Sequence, residues 1–149
     1  MTLKQKIYNH YLQIVNNKIK MLHQVLADLK ESSTNETKST AGDKHETALA
    51  MLQIEQANIN AQLSDALDKK AVFKKIDPLV TSDKIVRGSL IKTGRGYLFM
   101  SIALGKINIE GISVTALSPQ SPLGIKLMDL TAGDVAEINN FKYLIESIE

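Results

Sequence analysis

Seven side chains near the N-terminus, Tyr8, Leu12, Val15, Ile19, Leu22, Leu26 and Leu29, recur at alternating steps of four and three. That spacing keeps one narrow apolar seam on one side of a helix, and such a seam is stable only against a partner helix. Positions off the seam, among them Lys4, Lys6, Asn16, Asn17, Lys18, Lys20, Gln24, Asp28 and Lys30, are polar, so the rest of the helix is predicted to face water.

The pattern stops between Glu31 and Gly42, where Ser32, Ser33, Thr34, Asn35, Thr37, Ser39 and Thr40 compete for backbone hydrogen bonds and predict a loop. A second pattern follows at Leu49, Leu52, Gln56, Ile59, Leu63, Ala66, Lys70 and Phe73, with polar residues at two seam positions. Two helices of about thirty residues joined by a short loop satisfy each other's seams by folding back antiparallel, as a coiled-coil hairpin about 45 Å long. A seam of this type can also pair between chains, so oligomeric state stays open.

The hairpin is predicted over residues 1–75, with its tip near 32–46, and a second domain over 76–149. Asp77-Pro78 ends the helix, after which short apolar runs separated by turn residues take over. Predicted strands are Lys84 to Lys92, Tyr97 to Leu104, Ile112 to Leu117, Val135 to Ile138 and Lys142 to Ile148. Turns are predicted at Thr93-Gly94-Arg95-Gly96 and Asn139-Asn140, and a short helix over Ser121 to Leu130 behind the prolines of Pro119-Gln120-Ser121-Pro122. Five strands and one helix predict a small α+β domain. At 149 residues and 44% hydrophobic content, the chain supports one modest core plus an appendage.

The chain has no cysteine, which excludes a disulfide framework and a thiolate metal site. Without a signal-type N-terminus or an apolar run of about eighteen residues, the expectation is a soluble cytoplasmic protein with no membrane partner. Residues 1–75 carry 11 Lys/Arg and 8 Asp/Glu, or +3, and the remainder carry 7 and 8, or −1. So mild a bias does not mark a sequence-specific DNA-binding protein, although it suits approach to an acidic or nucleic-acid-rich cavity.

Gly42-Asp43-Lys44-His45-Glu46-Thr47 places two carboxylates three residues apart where the second helical pattern begins. Asp43 and Glu46 fit a D-x-x-E capping box, in which each side chain satisfies a free amide of the first turn. The same pair could share a Mg²⁺ ion, but two carboxylates are too few for a hard cation that wants about six oxygens, so the pair would complete a metal site held by a partner. Lys44 and His45 lie between the acids, where a cation could pair with them or with RNA phosphate. His10 and His23 have no carboxylate set at ligand spacing. Gly94-Arg95-Gly96 lacks the further glycine and following helix of a phosphate loop and reads as a hairpin turn.

Ala41-Gly42-Asp43-Lys44-His45-Glu46-Thr47-Ala48, followed by Glu55-Gln56, resembles the G-D-x-x-E-N-A signature and downstream helix of the Gre transcript cleavage factors of bacterial RNA polymerase. Ser118-Pro119-Gln120-Ser121-Pro122-Leu123-Gly124, Thr131-Ala132-Gly133-Asp134-Val135 and Phe141-Lys142-Tyr143-Leu144-Ile145 resemble the ending of the same factors, and the likeness runs in order over nearly the whole chain.

The resemblance implies an FKBP-like C-terminal domain docked at the rim of the polymerase secondary channel, with the exposed loop at Ser121, Pro122, Leu123 and Gly124 in contact with polymerase. It implies a hairpin inside the channel, where Asp43 and Glu46 would help hold a second Mg²⁺ and orient a water near the nascent RNA 3′ end. The chain would then be a cofactor of the polymerase's own hydrolysis of backtracked RNA and not an enzyme. Thr47 replaces the family's asparagine and Ala50 its tyrosine, which marks a divergent branch and leaves open a channel-binding regulator that stimulates no cleavage. An FKBP-like fold also raises prolyl isomerisation, which wants an aromatic-lined pocket; the C-terminal part offers Tyr97, Phe99, Phe141 and Tyr143, with no Trp.

Overall fold

In the computed structural model the backbone is described at residues 1–37 and 43–149, with side chains at all of these except 36, 37 and 43–45. The first helix, α1 (Leu3–Thr37), opens on a reciprocal capping box. Thr2 Oγ1 accepts from the Gln5 amide at 3.2 Å, and Gln5 Oε1 accepts from the Thr2 amide at 2.8 Å. The predicted loop does not begin at Ser32, because α1 continues through Thr37. Thr34 shows how this is tolerated: its hydroxyl donates to the Lys30 carbonyl one turn back at 3.0 Å, so it satisfies itself within the helix. The propensity penalty of Ser, Thr and Asn is at most about 0.7 kcal/mol each, small enough for a helix already nucleated to run on through them.

The second helix, α2 (Asp43–Lys74), ends where Lys75 and Ile76 donate to the Val72 and Phe73 carbonyls at 3.2 and 3.0 Å, tightening the last turn. Asp77 then accepts from the Leu79 amide at 2.9 Å, a local turn across Pro78 that turns the chain out of the helix. The chain divides into two compact units, one of Met1–Leu12 with Val72–Glu149 and one of Gln13–Ala71.

The unit of Gln13–Ala71 is a helical hairpin. Val15, Ile19 and Leu22 on α1 are 4, 9 and 1% exposed, and Ile59, Leu63 and Ala66 on α2 are 7, 8 and 5% exposed. A lone helix cannot hide side chains so completely, so the two seams cover each other. Direction follows from chain length. The six Cα steps from Thr37 to Asp43 span at most about 22 Å, less than half of the ~50 Å of a helix as long as α1, so α2 runs back antiparallel.

The other unit is built on a six-stranded sheet of β1 (Leu90–Thr93), β2 (Gly96–Met100), β3 (Gly105–Ile109), β4 (Ile112–Leu117), β5 (Val135–Ile138) and β6 (Phe141–Ile148), with the helix α3 (Pro122–Leu127) between β4 and β5. The order across the sheet is β3-β4-β2-β1-β6-β5, parallel at β2 and β4 and antiparallel elsewhere. Alternating residues feed two cores. Leu90, Phe99, Ile107, Val114 and Ala116 pack with Ile7, Tyr11, Phe73 and Ile76 of the helix ends, whereas Ile91, Leu98, Met100, Leu117 and Ile145 pack with Leu127 of α3. Burial on both faces explains the unbroken apolar run Tyr97-Leu98-Phe99-Met100.

Two predicted strands are shorter than expected, and one strand was not predicted. Lys84–Ser89 is not a strand: Lys84 makes an isolated bridge to Thr131, and Gly88 at φ +100° interrupts the extended chain before β1. The strand predicted to reach Leu104 stops at Met100. β3 is an edge strand whose Lys106 and Asn108 obscure the alternation of Ile107 and Ile109. Its turn at Glu110 and Gly111, at φ 51° and 78°, has the two positive values of a type I′ hairpin, as do Asn139 and Asn140 at 51° and 67°.

Candidate functional site

The predicted site residues fall into two sets, one in each unit. Asp43 and Glu46 lie in the first turn of α2. Glu46 is exposed, as a carboxylate offered to a partner must be, and a negative charge there also complements the helix dipole. The side chains of Asp43, Lys44 and His45 lie outside the described residues, and with them the predicted capping box. Among the described residues no three His, Asp or Glu side chains gather into a metal-binding group.

The second set opens α3. Ser121 caps the helix, accepting from the Gly124 amide at 3.0 Å while its hydroxyl donates to the Ser118 carbonyl at 2.6 Å. Pro122 follows at the first helical position, where its missing N–H costs nothing. Gly124 is buried beneath this loop: a Cβ there would sit 2.0 Å from the Ser118 oxygen and 2.8 Å from Ser121 Oγ. Ser121 and Gly124 therefore shape the loop from inside, and Leu123 packs toward the α3 core. What the loop shows outward is Pro122 together with Ile125, which is 65% exposed and was not singled out from the sequence.

Of the aromatic residues weighed for a pocket, Phe99 is 0% exposed and belongs to the core. Phe141 and Tyr143 instead carry Arg95, whose guanidinium carbon lies 4.8 and 5.7 Å from the two ring centroids and whose Nε donates to the Lys142 carbonyl at 3.0 Å. The turn at Gly94-Arg95 thus anchors the β1–β2 hairpin to β6.

Sequence reasoning also passed over a cationic cavity in the sheet-bearing unit. Lys4, which lies off the seam and was predicted to face water, is instead 3% exposed and donates from Nζ to the Val80 carbonyl at 2.6 Å. Burial lowers its pKa, and the charges of Glu149 and Asp77 oppose that shift. The four-three pattern runs back from Tyr8 to Gln5 and Met1, so periodicity did not mark Lys4 as an inward side chain.

No protein-family model matches the chain, and no curated protein matches it. Among solved structures, that of the transcription factor Gfh1 is similar to it at 15% identity, over 95% of this chain and 92% of that one, with a TM-score of 0.34. A likeness that loose carries no argument, so function rests on the residues themselves. Among the described residues no helix is long and apolar enough to cross a membrane.

Proposed function

We propose that this chain is a Gre-like transcription factor that enters the secondary channel of RNA polymerase and stimulates the polymerase's own cleavage of backtracked RNA. The observation that carries the reading is where the signature falls. Asp43 and Glu46 lie in the first turn of α2, the second helix of an antiparallel hairpin, and Glu46 is exposed there. Carboxylates at such a turn can reach into a cavity that the width of a globular domain would exclude.

In this reading Asp43 and Glu46 contribute oxygens to a Mg²⁺ ion that the polymerase holds, and the ion supplies Lewis-acid chemistry and a more acidic water. The sheet-bearing unit, which the resemblance describes as FKBP-like, docks at the channel rim through the α3 loop, with Pro122 and Ile125 outward. The chain acts as a cofactor of polymerase and works in the cytoplasm. The test is a stalled, backtracked elongation complex: added protein should shorten the RNA from its 3′ end, and a protein that neither binds polymerase nor shortens the RNA would contradict the proposal.

One observation favours a second reading. Thr47 and Ala50, both exposed on the first turns of α2, stand where the family carries asparagine and tyrosine. A chain lacking those side chains could occupy the channel and regulate transcription without cleavage. Binding that inhibits synthesis and leaves the RNA length unchanged would select this reading.

A further inference from the structure

A cavity of about 360 Å³ in the sheet-bearing unit is lined by Lys4, Lys75 and Arg87, with Asp77 the single carboxylate on its wall. Asp77 is engaged locally, accepting from the Leu79 amide. Two of the lining groups are buried and hold donors that nothing among the described residues accepts. Lys4, 3% exposed, spends one of its three ammonium hydrogens on the Val80 carbonyl. Ser89, 1% exposed, accepts from the Val86 amide at 3.0 Å, and its own hydroxyl proton has no acceptor among the described residues. Unspent donors inside a protein are costly, and an ammonium more than a hydroxyl. Arg87 and Lys75 add two further cations with no ion pair among the described residues. Val80 and Val86, 61 and 39% exposed, bring apolar surface to the same wall.

We infer that this cavity binds a small organic oxyanion, a phosphate or carboxylate head held by Lys4, Ser89 and Arg87 with an apolar body against Val80 and Val86. Lys4, Lys75, Arg87 and Ser89 set three cations and a hydroxyl donor against the one lining carboxylate, Asp77, a balance that favours an acceptor-rich ligand over a metal cation; Arg87 supplies a planar fork that fits either head. The site is independent of the function proposed above, because it needs neither Asp43 nor Glu46.

The test is calorimetric titration of the full chain with phenyl phosphate, benzoate and inorganic phosphate, alongside amide chemical-shift mapping. Phenyl phosphate or benzoate should bind saturably, more tightly than inorganic phosphate, with shifts centred on Gly88 and Ser89. Arg87→Gln, a partly exposed change that leaves folding intact, should weaken binding about tenfold, the loss of one charge-assisted hydrogen bond. Ser89→Ala should weaken it as well, while Lys18→Gln on α1 should not. Absence of saturable binding by all three probes, binding indifferent to Arg87→Gln, or shifts confined to the helical hairpin would each overturn the inference. Lys4→Met removes the buried ammonium; if that variant does not fold, Arg87→Gln and Ser89→Ala still decide the matter.

Discussion

Tyr8 and Phe73 stack face to face, their ring centroids 4.8 Å apart and their planes 11° from parallel, and so fix the level at which α1 and α2 run past each other. Steps of seven from Tyr8 reach Val15, Leu22 and Leu29, and steps of seven back from Phe73 reach Ala66, Ile59 and Leu52. All six are buried or half-buried, as antiparallel heptads in a common register require.

That register predicts a cross-link. The chain has no native cysteine, so a Leu29→Cys, Leu52→Cys double variant should oxidise to an intramolecular disulfide, detected as a shift in non-reducing electrophoresis. A Leu29→Cys, Leu63→Cys variant, out of register by more than a heptad, should not close. Equal closure of the two pairs, or dimers from the first, would contradict the hairpin.

Tyr11 ties α1 to the sheet by donating its hydroxyl toward the Gly105 and Val114 carbonyls at 2.7 and 3.2 Å. Tyr11→Phe should cost about 1 to 2 kcal/mol in urea unfolding, the price of leaving buried acceptors without their donor. Burial, opposed by a backbone hydrogen bond, pushes the Tyr11 pKa up to about 12 from 10.0. The folded chain therefore keeps a proton that the unfolded chain releases near 10.0, so this contribution to stability is whole below that pH and lost as pH rises through about 12. Absorbance should show a tyrosine ionising near pH 12, and Tyr11→Phe should abolish that step.

Lys4 titrates with the opposite consequence. Desolvation lowers its pKa from 10.5, so the cost of burying the charge is present at low pH and is relieved as pH rises toward 10.5. Lys4→Met should flatten the rise of the urea midpoint over that range. An unchanged slope would show that the ammonium is not desolvated.

Gly124→Ala should lose more than about 2 kcal/mol, because a methyl group 2.0 Å from the Ser118 oxygen forces the loop off α3. Pro122→Ala, on the exposed side, should leave stability nearly unchanged. If Pro122→Ala instead reduced binding to polymerase while the fold held, the loop's outward face would be the contact.

The parts of the fold that were legible in the sequence are those written in periodicity. Seam positions from Tyr8 to Leu29 and from Leu49 to Phe73 are buried or half-buried, and strands at Ile112–Leu117 and Val135–Ile138 match their predicted bounds. What was not legible lies where one interaction overrides composition. Thr34 returns its hydroxyl to the helix and extends α1 through a stretch that reads as loop. Gly88 breaks a run that reads as strand, and the turn at Glu110-Gly111 closes a hairpin without the usual Asn-Gly. The acids at the start of α2 were legible as a motif, whereas the cavity at Lys4 was not, because its groups come from distant parts of the chain and converge only through folding.

The most direct measurement of the central claim is the Mg²⁺ dependence of RNA cleavage in a stalled, backtracked elongation complex, with wild-type protein and Glu46→Gln compared at equal polymerase occupancy. If the carboxylates complete a metal site held by the polymerase, wild type should lower the Mg²⁺ concentration needed for half-maximal cleavage. Glu46→Gln should return it at least about tenfold toward the value without the protein, as loss of a charged metal ligand requires. Identical Mg²⁺ curves for wild type and Glu46→Gln, with both proteins bound, would contradict the account.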